Sequence, residues 1–327
     1  MKAFDYAKPG ADEEAIRAGR AAGARFIAGG TLLVDLLRLD VERPDLVVDL
    51  NGLRHAALGV GSDGLRIGAL VRNSDLAEHA EVIESYPALS QALLSGASPQ
   101  IRNMATVGGN LLQRTRCPYF RDTAVQACNK RKPGSGCAAR NGYSRMHAVL
   151  GVSDQCIAAN PSDMCVALLA LDAVVHTHGP HGERAIPIAE FHTLPGSRPE
   201  LESVLEQGEL VTHVSLAKSE LARHSAYVKA RDRASYAFAL ASAAAGLELD
   251  GNLVRQARVA LGGVASKPWR CPEVEQALLG KPATAESFRA AAGLAMRGAK
   301  TTADNQFKVE LARRVIARAL ALAGGQT

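Results

Sequence analysis

A two-part α+β chain is what the sequence predicts, on three observations. Through residue 222 helical and strand-like patterns are intermixed, whereas from residue 226 three strand-like runs follow one another and three helical runs come after them. Strands followed by helices pack as a sheet with its helices segregated to one side. The chain has 327 residues, long enough for two domains, and 47% of them are apolar, which excludes a disordered chain. The composition shift near residue 222 sets the boundary, giving parts 1–222 and 223–327.

Taken in order, residues 13–22 are rich in Ala and favour a helix. RFIA (25–28) is a short strand that runs into Gly29 and Gly30. TLLVDLLRL (31–39) has apolar residues at helical spacing, with Thr31 as its N-cap. LVVDL (46–50) and LRIGAL (65–70) are strands. Residues 74–94 are helical with one break near Pro87. TVGGNLL (106–112) leads into a polar stretch rich in Gly, Pro and Cys (114–146), a long loop of the kind that is usually functional. DMCVALLALDAVVHT (163–177) is a helix feeding a strand, and turns are expected at Gly179-Pro180 and Pro195-Gly196. YVKARDR (227–233), YAFALASAAAGLEL (236–249) and LVRQARVALGG (253–263) are strands. Helices follow at 271–280, 286–298 and 307–323, the last with Phe307, Leu311, Val315, Ala319 and Leu322 on one stripe.

Charge and cysteine are both concentrated. The net charge is +5. Between residues 114 and 145 stand eight basic side chains (Arg114, Arg116, Arg121, Lys130, Arg131, Lys132, Arg140, Arg145) and one acid, Asp122, so this window carries +7 and the remainder −2. Six cysteines are too few for a disulfide scaffold of this length, yet Cys117, Cys128, Cys137, Cys156 and Cys165 lie close in sequence while Cys271 stands apart. The first four are separated by 10, 8 and 18 residues, without the short pairs of structural zinc sites or the usual ferredoxin spacings. Unrelated buried thiols are one reading. Against it, they sit in a polar loop, and the basic surroundings suit a buried anion such as a four-iron cluster on four thiolates, with net charge about −2. A nucleic-acid patch is disfavoured, because the window offers only Tyr119, Phe120 and Tyr143 for stacking.

AGGT (28–31) follows a strand and opens a helix, so its amides can face a phosphate; it matches neither dinucleotide fingerprint nor Walker loop. TVGGN (106–110) is a second such loop, and Pro161-Ser162-Asp163 a third polar turn. Together they suffice for a dinucleotide. His147, near the cysteines, is expected at the surface, and His176, His178 and His181 in a solvent-exposed turn. No His or carboxylate stands in a catalytic arrangement, so no general acid or base is assigned. The N-terminus lacks the apolar core of a secretory signal, and the most apolar stretches are too short to cross a bilayer.

AGGTLLVDLLR (28–38), ATVGGNLL (105–112), NPSDMCVALLALDAVV (160–175) and ALGGVASKPWR (260–270) resemble, in this order, the signatures of the FAD-binding medium subunits of the xanthine dehydrogenase, or molybdenum hydroxylase, family. The resemblance covers almost the whole chain. The cysteine insertion resembles a subset, the periplasmic bacterial aldehyde oxidoreductases of three different subunits, whose flavin subunit carries an extra [4Fe-4S] cluster. The resemblance implies a two-part FAD-binding domain of the vanillyl-alcohol-oxidase type over 1–222, with the cluster loop at about 114–158. It also implies the C-terminal domain of these flavin subunits over 223–327.

By the same resemblance, Phe26, Ile27, Ala28, Gly29, Gly30, Thr31, Leu32 and Leu33 wrap the FAD pyrophosphate; Leu32 stands where the family often has Asn. Thr106, Gly109 and Asn110 contact the ribityl chain or diphosphate, Asp163 the flavin or its sugar, and Lys229 the isoalloxazine, with Asp122 a further contact. Cys117, Cys128, Cys137 and Cys156 are the implied cluster ligands, Cys165 and Cys271 packing residues. The implied function is electron relay from a large molybdenum-cofactor subunit and a small [2Fe-2S] subunit, through FAD, to an external acceptor. A flavin subunit of the 4-hydroxybenzoyl-CoA reductase type is the alternative, and a zinc- or nucleic-acid-binding protein a remote one. With no export signal of its own, the chain is expected either in the periplasm by co-export with a partner or in the cytoplasm.

Overall fold

The structure, a computed structural model, describes residues 1–326. It holds three sheets. β1 (Asp5–Ala7), β2 (Ala24–Ile27) and β3 (Leu46–Asp49) form a small parallel sheet in the order β1-β3-β2. β4 (Leu58–Gly61), β5 (Gly64–Gly68), β6 (Val174–Gly179), β7 (Gly182–Pro187) and β8 (Leu210–Ala217) form an antiparallel sheet in the order β4-β5-β8-β6-β7. β9 (Ser225–Ala230), β10 (Ala241–Asp250), β11 (Leu253–Gly262) and β12 (Trp269–Arg270) form an antiparallel C-terminal sheet in the order β12-β11-β10-β9. The first two sheets make the two-part N-terminal unit, and the third, with its helices, the α+β C-terminal unit.

The alanine run of β10 shows how the units join. Residues 241–247 are all buried, so neither face of the strand meets water. Alternate residues point to opposite faces. Ala241, Ala243, Ala245 and Leu247 enter the C-terminal core with the helix Phe307–Ala323, while Ala244, with Ala260 and Tyr227, enters the N-terminal core with the helices Pro87–Ser95 and Asp163–Ala170. Small side chains let helices approach both faces, and the shared sheet makes one apolar body of the two units.

Several elements depart from the sequence expectations. The helix after the first glycine loop is Leu33–Arg38, and its N-cap position is Leu32, not Thr31, which stays in the loop. Residues 73–95 break twice, at His79, which is extended (φ −68°, ψ 127°), and at Tyr86 before Pro87 (φ −139°, ψ 51°), giving the helices Asn73–Glu78, Ala80–Ser85 and Pro87–Ser95. In the final helix the buried stripe is Lys308, Ala312, Val315, Ile316, Ala319, Leu320 and Ala323, and Phe307 and Leu322 are exposed. The four-residue steps from Phe307 to Ala319 drift around a helix of 3.6 residues per turn, so Phe307 at their start leaves the core. His176 and His178 lie in β6 and are half-buried instead of turning in solvent; only His181 is in the turn. His147 is buried, 2% exposed.

Candidate functional site: three joined cavities

The first glycine loop takes its shape from close contact. A Cβ on Gly29 would stand 1.9 Å from the Met104 carbonyl oxygen, and Gly30 has φ +70°. Only glycine meets both demands without strain. A left-handed residue in such a loop turns neighbouring amides toward one concave side. The brace below is polar: Asn51 Nδ2 donates to the Ala28 carbonyl (2.9 Å) and to Asp49 (2.6 Å), and Tyr6 donates to Asp49 (2.5 Å). The helix begins with Val34 N donating to Gly30 O at 3.0 Å. Among the described residues the amides of 30–32 pair with no backbone carbonyl of the surrounding turns.

Residues 24–33 face a cavity of about 460 Å³, completed by Thr106, Gly108, Gly109 and residues 200–211. That volume falls within the roughly 300–1,000 Å³ of small-molecule and cofactor sites. Phe26, Ile27, Ala28, Gly29, Gly30, Thr31, Leu32 and Leu33 all line it; Leu32 gives it an apolar wall. His192 also lines it. Its Nε2–H donates to the Leu111 carbonyl at 2.9 Å, and burial holds its pKa down to about 4.

The second glycine loop is tied to the third polar turn. Thr106 Oγ1 accepts from Gly109 N (3.2 Å), capping the short helix Val107–Leu111. Ser162 Oγ donates to Asn110 Oδ1 (2.8 Å) and accepts from Cys165 N (3.1 Å), capping the helix Asp163–Ala170. Asn160 lines the first cavity and also a second, of about 150 Å³, whose walls include Asp163, Met146, His147, Phe238, Ala239 and Gly263. Asp163, largely buried, is held by Lys229 Nζ (2.7 Å) and the Tyr227 hydroxyl (2.5 Å), and Lys229 also donates to Ser95 O (3.0 Å). Burial and then the Asp163 charge push the Tyr227 phenol well above its usual range, so it remains a donor.

Cys117 lines the second cavity and a third, small one of about 10 Å³, whose wall also holds Cys128, Cys137, Cys156 and Lys130. Cys128 and Cys137 face each other across an isolated antiparallel bridge. All six cysteines are free thiols; Cys165 and Cys271, fully buried, are outside this cavity. Burial pushes the Cys117 thiol up to about 12 and also raises Cys156, although the Lys130 charge lowers the latter. Among the described residues no group of three or more His, Cys, Asp or Glu side chains is gathered for a single metal ion.

The basic loop differs from its expected electrostatics. Arg114, Arg116, Arg121, Lys130, Arg140 and Arg145 pair with acids: Arg114 with Glu42 and Glu202 (2.6 Å to the latter), Arg116 and Arg121 with Asp35, Lys130 with Glu202, Arg140 with Asp154, Arg145 with Asp232. Most of the +7 is thus neutralised in pairs, and Lys130, itself paired with Glu202, is the buried cation on the thiols' own wall. Arg131 donates to the carbonyls of Tyr119, Phe120, Asp122 and Val125, closing a loop that has little regular structure.

Asp122 is not brought to the others: it is exposed, caps Ala124 N (2.9 Å) and lines none of the three cavities. It is the C-cap residue of the 118–121 helix, whereas Asp163 lines the second cavity. The sequence analysis gave no site role to Tyr227, Asn160 and His192, took Ser162 only as part of the third polar turn, and counted Arg131 only as charge. Tyr227 was within reach, being two residues before Lys229 and so on the same strand face. The part played by His192 depends on Leu111, far off in sequence, whereas Arg131 acts on carbonyls 6 to 12 residues away.

Residues 2–218 match the family described as the FAD binding domain in molybdopterin dehydrogenase, and 225–323 the carbon monoxide dehydrogenase flavoprotein C-terminal domain. The chain belongs to the FAD-binding medium subunits of the molybdenum hydroxylases, which are oxidoreductases. It is 51% identical over the full length of both chains to the aldehyde oxidoreductase FAD-binding subunit PaoB of Escherichia coli. It is 29% identical to the 6-hydroxypseudooxynicotine dehydrogenase complex subunit alpha of Paenarthrobacter nicotinovorans, covering 98% of this chain and 94% of that one. In fold it matches carbon monoxide dehydrogenase from Hydrogenophaga pseudoflava with a TM-score of 0.76 at 24% identity, over 98% and 97% of the two chains.

Proposed function

We propose that this chain is the FAD- and [4Fe-4S]-containing electron-transfer subunit of a molybdenum-dependent aldehyde oxidoreductase. Its partners would be a large molybdenum-cofactor subunit and a small [2Fe-2S] subunit, and it delivers electrons to an external acceptor. The observation that carries this reading is the adjacency of the three cavities, which share Asn160 and Cys117 as wall residues, with glycine loops along the first, Asp163 in the second and four thiols around the third. The likeness to a subunit named for aldehyde oxidoreductase supports the substrate class.

The residues fit both groups. In the first cavity the amides beside Gly30, with Thr106 and Gly109 on the same wall, suit the pyrophosphate and ribityl chain of FAD, and Asn110, which is outside its lining, ties that wall to Ser162. In the second, the Asp163 carboxylate is an acceptor for a flavin N–H, and Lys229 and Tyr227 hold it oriented. In the third, four thiols supply the ligand number of a four-iron cluster, and Lys130 offsets part of its negative charge. A cubane spreads its four thiolates wider than a single ion does, which suits four thiols on one wall that are not gathered around a single point. When bound, FAD exchanges one or two electrons and the cluster one.

The purified chain is expected to show flavin absorption with a broad brown iron–sulfur shoulder and about four irons per chain. Cys137→Ser should lose the iron while part of the FAD remains. A colourless, zinc-containing chain overturns the reading; iron surviving in Cys137→Ser overturns the ligand set. Aldehyde turnover by the co-purified complex tests the substrate class.

A further inference from the structure

His147 lines the second cavity and touches Cys117, which lines both the second and the third. Its segment is fastened to the C-terminal unit: Ser144 N donates to Asp304 (2.9 Å), Ser144 Oγ lies 2.7 Å from Thr302 Oγ1, and His147 N donates to Ser144 O (2.9 Å). From there the ring reaches back to the N-terminal unit, with Nε2 3.1 Å from Cys117 Sγ. The ring is 2% exposed, and its Nδ1 has no partner. Lys308, wholly buried, donates to the Gly263 carbonyl (2.7 Å), which also lines the second cavity. A thiolate ligand has no hydrogen to give. With Cys117 bound as a thiolate, the hydrogen between the two atoms must therefore sit on Nε2 and point at sulfur.

We propose that His147 is a positioning residue for the cysteine centre: its Nε2–H holds the Cys117 thiolate on the flavin side of the cluster and makes the cluster easier to reduce. The inference rests on the cluster reading above. Its cause is general, since a hydrogen bond to a ligand sulfur withdraws charge from it and favours the more negative, reduced state. Of the four thiols, Cys117 alone lines both cavities, so its hydrogen bond acts on the edge that faces the flavin.

The test uses the full chain with its cofactors at one fixed pH, reading iron content, flavin content and the cluster's midpoint potential by spectroscopically monitored redox titration. His147→Leu is expected to keep iron and FAD and to shift the midpoint downward. His147→Gln, which retains a side-chain N–H, is expected to recover most of that shift. An unchanged midpoint in His147→Leu overturns the assignment. So does loss of iron in both variants, which makes the ring a prop of the loop and not a tuner of the centre. Absence of iron from the unsubstituted chain is a separate result that overturns the cluster reading itself.

Discussion

Residues 28–33 and residues 114–158 both line cavities suited to anionic groups, and they are built differently. The glycine loop is shaped by backbone: Gly29 lies against Met104 O, Gly30 has a positive φ, and both continue β2 of the parallel sheet. The cysteine loop contains only the short helix Pro118–Arg121 and one 3-10 turn. Its shape comes from side chains, chiefly Arg131 on four carbonyls and ion pairs to Glu42, Asp35 and Glu202. A binding loop that continues a sheet needs glycine where the backbone crowds. One inserted between elements needs long cationic side chains that reach the body of the protein.

The largest expected effect lies where the two regions meet. Asp163→Asn leaves the Lys229 ammonium, 3% exposed, without its counter-charge. Breaking a buried pair in this way costs about 3–5 kcal/mol. Denaturant melts should show that loss, and flavin content should fall with it; an unchanged midpoint of unfolding would mean that Lys229 finds another partner.

Gly29→Ala should act on the flavin region alone. Its Cβ overlaps the Met104 carbonyl, and such overpacking costs about 1–3 kcal/mol. The expected outcome is a chain that loses flavin and keeps iron, and loss of both would show that the regions are not independent. Arg131→Met is the mirror test. It strands four carbonyls, at about 1–3 kcal/mol where they remain buried, and should lower iron content while flavin stays.

The smallest effect is one of pH. Burial holds His192, beside the flavin cavity, at about 4. As pH falls below the ordinary value of about 6.5, the unfolded chain takes up a proton that the native ring refuses. Stability therefore drops between about 6.5 and 4, by at most about 1.4 kcal/mol per pH unit for this group. His192→Gln should flatten that part of the stability profile without removing the slope due to His147, which shares the same direction.

Much of this was legible in the sequence. The glycine pairs announce places where backbone must crowd, and all eight residues from Phe26 to Leu33 line one cavity. The C-terminal order of strands and helices followed from composition. What was not legible follows from long-range contact. His147 looks like a loop histidine until Thr302 and Asp304 bury its segment. Thr31 looks like an N-cap until the loop continues one residue past it. The excess charge of residues 114–145 looked free, because the acids that neutralise most of it come from Glu42, Asp35, Glu202 and Asp232, far off in sequence.

The sequence by itself determined the family, the glycine loops and the presence of four thiols in a basic polar stretch, because these depend on residue types at fixed local spacing. Only the tertiary structure decided that the thiols share one wall, that Asp163 is clasped by Lys229 and Tyr227, and that the three cavities lie side by side with Asn160 and Cys117 as shared wall residues. Those facts depend on packing two units against the alanine faces of β10, and no local pattern encodes which distant side chains that packing brings together.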